Sequence, residues 1–64
     1  MKSYQEVIES FVPAYKYSLD ESNFYDRKDW AEFVHEEKVK IETAAFIFGT
    51  TYKAMCKDII AAAN

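Results

Sequence analysis

The fold is decided by residues 31–62, which read AEFVHEEKVKIETAAFIFGTTYKAMCKDIIAA. Apolar side chains recur every seven residues along this stretch, and a second set lies three or four residues from the first. The first set is Val34, Ile41, Phe48, Met55 and Ala62; the second is Ala31, Ala45, Tyr52 and Ile59, and Lys38 is the charged residue in the seam. This alternation of four and three is the heptad pattern of helices that pack along a common seam. The stretch therefore predicts a long amphipathic helical segment in an all-α fold.

Gly49 leaves two alternatives for this segment. If the helix continues through the glycine, which costs only about 1 kcal/mol, residues 27–62 form a rod of about 54 Å. If the chain turns at Gly49, Thr50 or Thr51 caps a third helix and a compact three-helix bundle results. We favour the continuous helix, because the spacing of Phe48 and its successors is unbroken across the glycine.

A continuous rod needs a second chain to cover its apolar seam, because one short helix is too small to do so. We therefore predict a homodimer in which two copies complete a four-helix arrangement. The predicted dimer seam consists of Val34, Ile41, Ala45, Phe48, Tyr52, Met55 and Ile59. The whole chain, residues 1–64, is expected to be one small helical domain.

The N-terminal part of the chain predicts a shorter helix. Ser3 and Glu6 have the spacing of a capping box, in which each side chain accepts a hydrogen bond from the backbone of the other. Tyr4, Ile8, Phe11 and Tyr15 then recur at helical spacing. Pro13 lacks an N–H group and restricts the residue before it, so we expect the helix to end near Phe11 or to kink at the proline.

The next segment predicts a connection followed by a helix start. Residues 18–23, Ser-Leu-Asp-Glu-Ser-Asn, are rich in side chains that bond locally to the backbone. Asp26 is the predicted N-cap of the following helix, and Asp29 adds negative charge to its first turn.

Composition limits the classes of protein to consider. The 64 residues are half hydrophobic, contain eleven aromatic side chains in the form of five Tyr, five Phe and one Trp, and carry a net charge of −3. Cys56 is the single cysteine, so no disulfide forms within the chain. A lone thiol and the absence of a secretory pattern lead us to expect a cytoplasmic protein. The longest apolar run, 44–48, is far too short to span a membrane.

The motif Glu32-Phe33-Val34-His35 is the alternative that involves a metal. A carboxylate and an imidazole three residues apart lie on one side of a helix, as in di-iron carboxylate bundles, where paired motifs converge. A dimer would supply two copies of Glu32 and His35. Motifs this short arise often by chance, and a solvated helix flank explains the pair equally simply. We therefore expect no cofactor and keep a metal-binding bundle as the second hypothesis.

Catalysis and direct nucleic-acid binding receive little support. No third group accompanies His35 or Cys56, and a single glycine is too few for a phosphate-binding loop. The four lysines that lie near one another in the predicted helical segment, Lys38, Lys40, Lys53 and Lys57, have no arginine cluster beside them and make a weak footprint for nucleic acid. We therefore expect a protein that is not an enzyme.

The leading hypothesis is a protein–protein interaction module. Aromatic side chains alternate with acids between residues 15 and 37, and such rings often dominate protein interfaces. Carboxylates around them favour a basic partner, including a host protein surface that normally holds nucleic acid. The predicted partner-binding residues are Tyr17, Phe24, Tyr25, Asp26, Asp29, Glu32 and Glu36, whereas we expect Trp30 and Phe33 to belong to the core.

The expected role is that of an adaptor, inhibitor or regulator. In length and in its acidic, aromatic character the chain is similar in general style to small regulatory proteins of phages and mobile elements. The predicted partners are another copy of the chain and a basic protein.

Overall fold

The computed structural model describes residues 2–64 and contains three α-helices. Helix α1 spans Tyr4–Ser18, helix α2 spans Arg27–Ile47 and helix α3 spans Tyr52–Ala63, with a short 3₁₀ turn at Glu21–Asn23 between the first two. No strand is present in this part of the chain, so the predicted all-α class is confirmed. None of the three helices is both long enough and apolar enough to cross a bilayer.

Local hydrogen bonds set the beginning of every helix. Ser3 and Glu6 form the predicted capping box at α1. Asp26 caps α2 by accepting from the Asp29 N–H at 2.8 Å, as predicted. At α3 the hydroxyl of Thr51 accepts from the Ala54 N–H at 3.1 Å. Each cap satisfies a backbone donor that the first helical turn leaves free.

The chain turns at Gly49, so the predicted continuous helix is wrong. The N–H of Thr50 donates to the Ala45 carbonyl at 2.9 Å, and the Gly49 N–H donates to Phe46 at 3.2 Å. This pair of bonds is a Schellman motif, which needs a left-handed residue after the helix end. Gly49 supplies it with φ of +69°. Our alternative, a turn at Gly49 followed by a third helix with Thr50 or Thr51 as its cap, is therefore the observed arrangement, and the cap is Thr51.

Helix α1 continues past Pro13, so the prediction that it ends near Phe11 is also wrong. It runs as one α-helix to Ser18. Both Pro13 and Glu9, whose carbonyl would have received the missing N–H bond, are exposed. Water is therefore close to the orphaned carbonyl, and the packing of the apolar stripe on both sides of the proline outweighs the roughly 3 kcal/mol that an interior proline costs.

The core lies where α1 crosses α3 and the C-terminal half of α2. Its fully buried members are Ile8, Ala45, Met55 and Ile59. Half-buried apolar side chains surround them: Tyr4, Phe11, Val12, Tyr15, Ile41, Ala44 and Phe48. Helix α1 packs mainly on α3, whereas α2 packs less extensively on α3, and an apolar groove lies between the three helices. The predicted dimer-seam residues Ala45, Met55 and Ile59 are thus buried within the single chain.

Candidate functional site

The end of the molecule opposite the core is built from aromatic rings. The rings of Tyr17, Phe24 and Phe33 lie within 5.2–5.4 Å of one another, measured between centroids. The Tyr17 and Phe24 rings meet edge to face, which is a favoured geometry for aromatic pairs. Tyr17 is nevertheless 45% exposed, and the other two are only partly buried. The cluster is therefore an organised but accessible surface.

Hydrogen bonds hold this ring cluster in place. The Tyr17 hydroxyl donates to the Asn23 carbonyl at 3.1 Å, and the Asn23 amide donates back to the Tyr17 carbonyl at 3.0 Å. The indole N–H of Trp30 donates to the Ser18 carbonyl at 2.9 Å and ties the start of α2 to the end of α1. Asp20 accepts from both the hydroxyl and the N–H of Ser22, and these bonds lower the pKa of the Asp20 carboxyl. The turn between α1 and α2 is therefore fixed by specific bonds and not by burial.

Three carboxylates border the ring cluster on α2. Asp29, Glu32 and Glu36 are spaced three and four residues apart, so they project from one side of the helix. Together with Tyr17, Phe24 and Phe33 they line a shallow depression of about 380 Å³. We call these six residues the acidic–aromatic face. Within residues 2–64 the one ion pair joins Lys40 to Glu37, so no described cation neutralises the three carboxylates.

The acidic–aromatic face includes five of the seven predicted partner-binding residues. The other two, Tyr25 and Asp26, line an adjoining depression of about 400 Å³ that shares Phe24. Tyr25 is almost fully exposed, at 95%. Phe33 and Trp30, which we expected in the core, are outside it: Phe33 belongs to the face, and Trp30 is 36% exposed. Their apolar spacing signalled a buried stripe, but α2 packs on α3 less extensively than α1 does, and these two rings stay partly accessible.

A second feature is an apolar groove of about 710 Å³ bounded by all three helices. Sequence reasoning missed it, because it exists only when the chain turns at Gly49. Four predicted dimer-seam residues, Val34, Ile41, Tyr52 and Ile59, are among its lining residues. The complete lining is Phe11, Ala14, Tyr15, Ser18, Trp30, Phe33, Val34, Glu37, Lys38, Ile41, Tyr52, Lys53, Cys56, Ile59 and Ile60.

Polar groups in the groove are few. The Lys38 ammonium lies 5.7 Å from the centre of the Tyr52 ring, within the range of a cation–π contact. A hydrogen bond with Cys56 is the main cause that raises the pKa of the Tyr52 hydroxyl; desolvation and the charges of Cys56 and Glu42 contribute less. The Glu37 carboxylate is paired with Lys40 at 3.3 Å. Nothing in this arrangement resembles a nucleophile with an adjacent base.

The residues of the metal hypothesis are both exposed on α2. Glu32 belongs to the acidic–aromatic face, and His35 lies outside it. Among residues 2–64 no group of three or more His, Cys, Asp or Glu side chains is arranged to hold a metal ion. The structure therefore adds no observation in favour of the metal hypothesis.

Comparison with known proteins yields no relative. No protein-family model matches the chain, and neither does any curated protein or any solved structure. The geometry of the chain itself is therefore the basis for assigning a function.

Proposed function

We propose that this chain is a protein–protein interaction module that binds a positively charged segment of another protein through its acidic–aromatic face. The observation that supports this most is the convergence of Asp29, Glu32 and Glu36 beside three packed rings, with no described cation paired to them. We expect the module to serve as an adaptor or inhibitor, because both roles need only binding, to which the residues of the face are suited.

The rings and the carboxylates have different roles in this proposal. Exposed aromatic side chains give large contact area, and they lose little conformational entropy on binding because they are already packed together. Arginine is the best-suited partner residue, since its guanidinium stacks on rings and forms paired hydrogen bonds with carboxylates. The carboxylates add long-range attraction and so speed association more than they slow dissociation.

The test is a selection of random peptides against the purified protein. We expect the selected peptides to be enriched in arginine and lysine. Changing Glu32→Lys together with Glu36→Lys should abolish their binding, because it reverses the charge beside the rings. The matched control is Glu9→Lys with Glu42→Lys, which makes the same change in net charge away from the face. Peptides without charge bias, or equal loss of binding in both double variants, would contradict the proposal.

Salt dependence supplies an independent check with the same peptides. Surface charges more than about 10 Å apart are largely screened at 0.1 M salt. Raising the salt concentration should therefore lower the association rate of a selected peptide with the wild-type protein, measured by stopped-flow fluorescence. An association rate that does not change with salt would remove the electrostatic part of the proposal.

A further inference from the structure

The molecule exposes more surface than a compact monomer of its size. The chain exposes 4925 Å² of surface, whereas a folded monomer of 7.5 kDa is expected to expose about 4,200 Å². The radius of gyration is 12.1 Å, against about 10.7 Å expected for 64 residues. The apolar groove between the three helices is one place where apolar surface stays open.

The shape of the groove fits one more helix. Three helices form its walls, and the lining residues on α2 recur from Trp30 to Ile41, a distance of about 17 Å along the helix. A partner helix of about eleven residues has that length. Its insertion would place a fourth helix beside the three that bound the groove, which is the common bundle arrangement.

The charges around the groove indicate which charged side chains that helix would carry. Lys38 and Lys53 both line the groove, and neither has an ion-pair partner among the described residues. Lys53 also lies with Lys57 and Ile60 around an adjoining depression, which extends the positive side. Glu37 is the acid in the lining, but Lys40 neutralises it. Glu42 lies near Tyr52 without lining the groove.

From this geometry we propose that the groove binds an amphipathic helix of another protein, with acidic residues flanking its apolar stripe. The apolar stripe would cover Val34 and Ile60, and the acids would pair with Lys38 and Lys53. A groove that binds a helix recognises apolar anchor residues spaced three and four positions apart on that helix. A second copy of this chain would bring the same lysines toward each other, which disfavours a symmetric dimer at this site.

The test uses a displayed library of helix-forming peptides with a fixed leucine stripe and flanking positions randomised among Glu, Lys, Gln and Ser. We expect the selected peptides to be enriched in Glu, and a Glu-flanked peptide to bind roughly tenfold more tightly than its Lys-flanked counterpart. Changing Lys38→Glu together with Lys53→Glu should reverse that preference. The control Lys2→Glu with Lys28→Glu alters net charge equally at positions outside the groove and should leave the preference unchanged.

A second pair of variants locates the binding site. Ile60→Glu places a charge in the groove and should abolish peptide binding, whereas Phe46→Glu, at a residue 87% exposed elsewhere, should not. Circular dichroism of each variant confirms that the helices remain. Selected peptides without acidic bias, or binding that persists in Ile60→Glu, would overturn the proposal. So would a concentration-dependent dimer, seen by light scattering, that Ile60→Glu dissociates, because a second copy would then occupy the groove.

The experiments can contradict this proposal without contradicting the proposed function, and the reverse also holds. The Glu32→Lys and Glu36→Lys double variant should lose basic peptides and retain acidic helices. Ile60→Glu should do the opposite.

Discussion

The two ends of helix α2 contribute differently to the molecule. At its C-terminal end Ala45 packs among Ile8, Met55 and Ile59, all at most 2% exposed. At its N-terminal end the rings of Phe24 and Phe33 are only partly buried, and hydrogen bonds position them. Burial of apolar surface stabilises the first end, whereas the second leaves rings and carboxylates accessible. The buried core and the accessible acidic–aromatic face therefore lie at different ends of one helix.

The largest effect is expected from the core. Met55→Ala should reduce the free energy of unfolding by about 2–5 kcal/mol, because Met55 is completely buried and the cavity has little room to collapse. Urea denaturation measures it. Phe46→Ala is the control, since it also truncates a large apolar side chain but one that is 87% exposed; its effect should stay within about 0.5 kcal/mol. Equal losses would contradict the separation of the two ends.

A smaller loss is expected at the turn that places α3 on the core. Gly49→Ala should cost about 1–2 kcal/mol, because a side chain disfavours the left-handed conformation that Gly49 adopts. An added Cβ atom meets nothing within 4 Å, so crowding contributes nothing to this cost. Thermal denaturation measures it. D-alanine at this position, introduced by chemical synthesis, favours positive φ and should not destabilise the protein; if it destabilises as much as L-alanine, the backbone explanation fails.

Variants that lack the cap of α2 or the cap of α3 compare the acidic–aromatic end of the molecule with the core end directly. Asp26→Ala and Thr51→Ala each remove one capping bond, worth about 1 kcal/mol. Amide hydrogen exchange should show a local loss of protection in the first turns of α2 for Asp26→Ala, with the amides of Met55 and Ile59 unchanged. Thr51→Ala should weaken protection throughout the core, because α3 begins beside it. The same pattern in both variants would mean that the molecule opens as one unit.

The smallest effect on stability is expected from Tyr4, whose hydrogen bond links the start of α1 to α3. Its hydroxyl donates to Asp58 at 2.5 Å, and this bond, with smaller contributions from desolvation and the Asp58 charge, raises the pKa of Tyr4 to about 12. The folded state then holds the proton more tightly than the unfolded state, whose pKa is 10.0. The bond's contribution is complete below pH 10 and is lost as the pH rises toward 12.

Chemical denaturation at several pH values tests this linkage. Tyr4→Phe should be less stable than wild type at pH 9, and the difference should shrink between pH 10 and pH 12. A constant difference across that range would show that the Asp58 bond does not depend on the Tyr4 proton.

Local signals predicted the helix starts correctly, because a cap depends on residues only three positions apart. Ser3 with Glu6 and Asp26 with Asp29 are examples. The turn at Gly49 was harder to predict, because the seven-residue spacing persists across it. Phe48 and Met55 both face the core, one at the end of α2 and the other in α3. The pattern of Gly49 followed by Thr51 was the better signal, since left-handed helix ends favour glycine and helix starts favour threonine.

The candidate surfaces were predictable to different extents. The acids and rings between residues 17 and 36 were recognisable, because they follow one another along the chain and one helix face gathers most of them. The groove was not, because its walls come from three helices whose relative positions depend on tertiary packing. Trp30 illustrates the limit: its spacing indicates burial, and only the position of α3 leaves it lining an open groove.

Phe33 lies between the acidic–aromatic face and the groove and lines both of them. A ligand that moves this ring on one side therefore changes the wall available to a ligand on the other. Such linkage is reciprocal: if a basic segment alters the affinity for an acidic helix by some factor, the helix alters the affinity for the basic segment by the same factor. If both proposals hold, one shared phenylalanine makes the two docking surfaces a thermodynamically coupled pair.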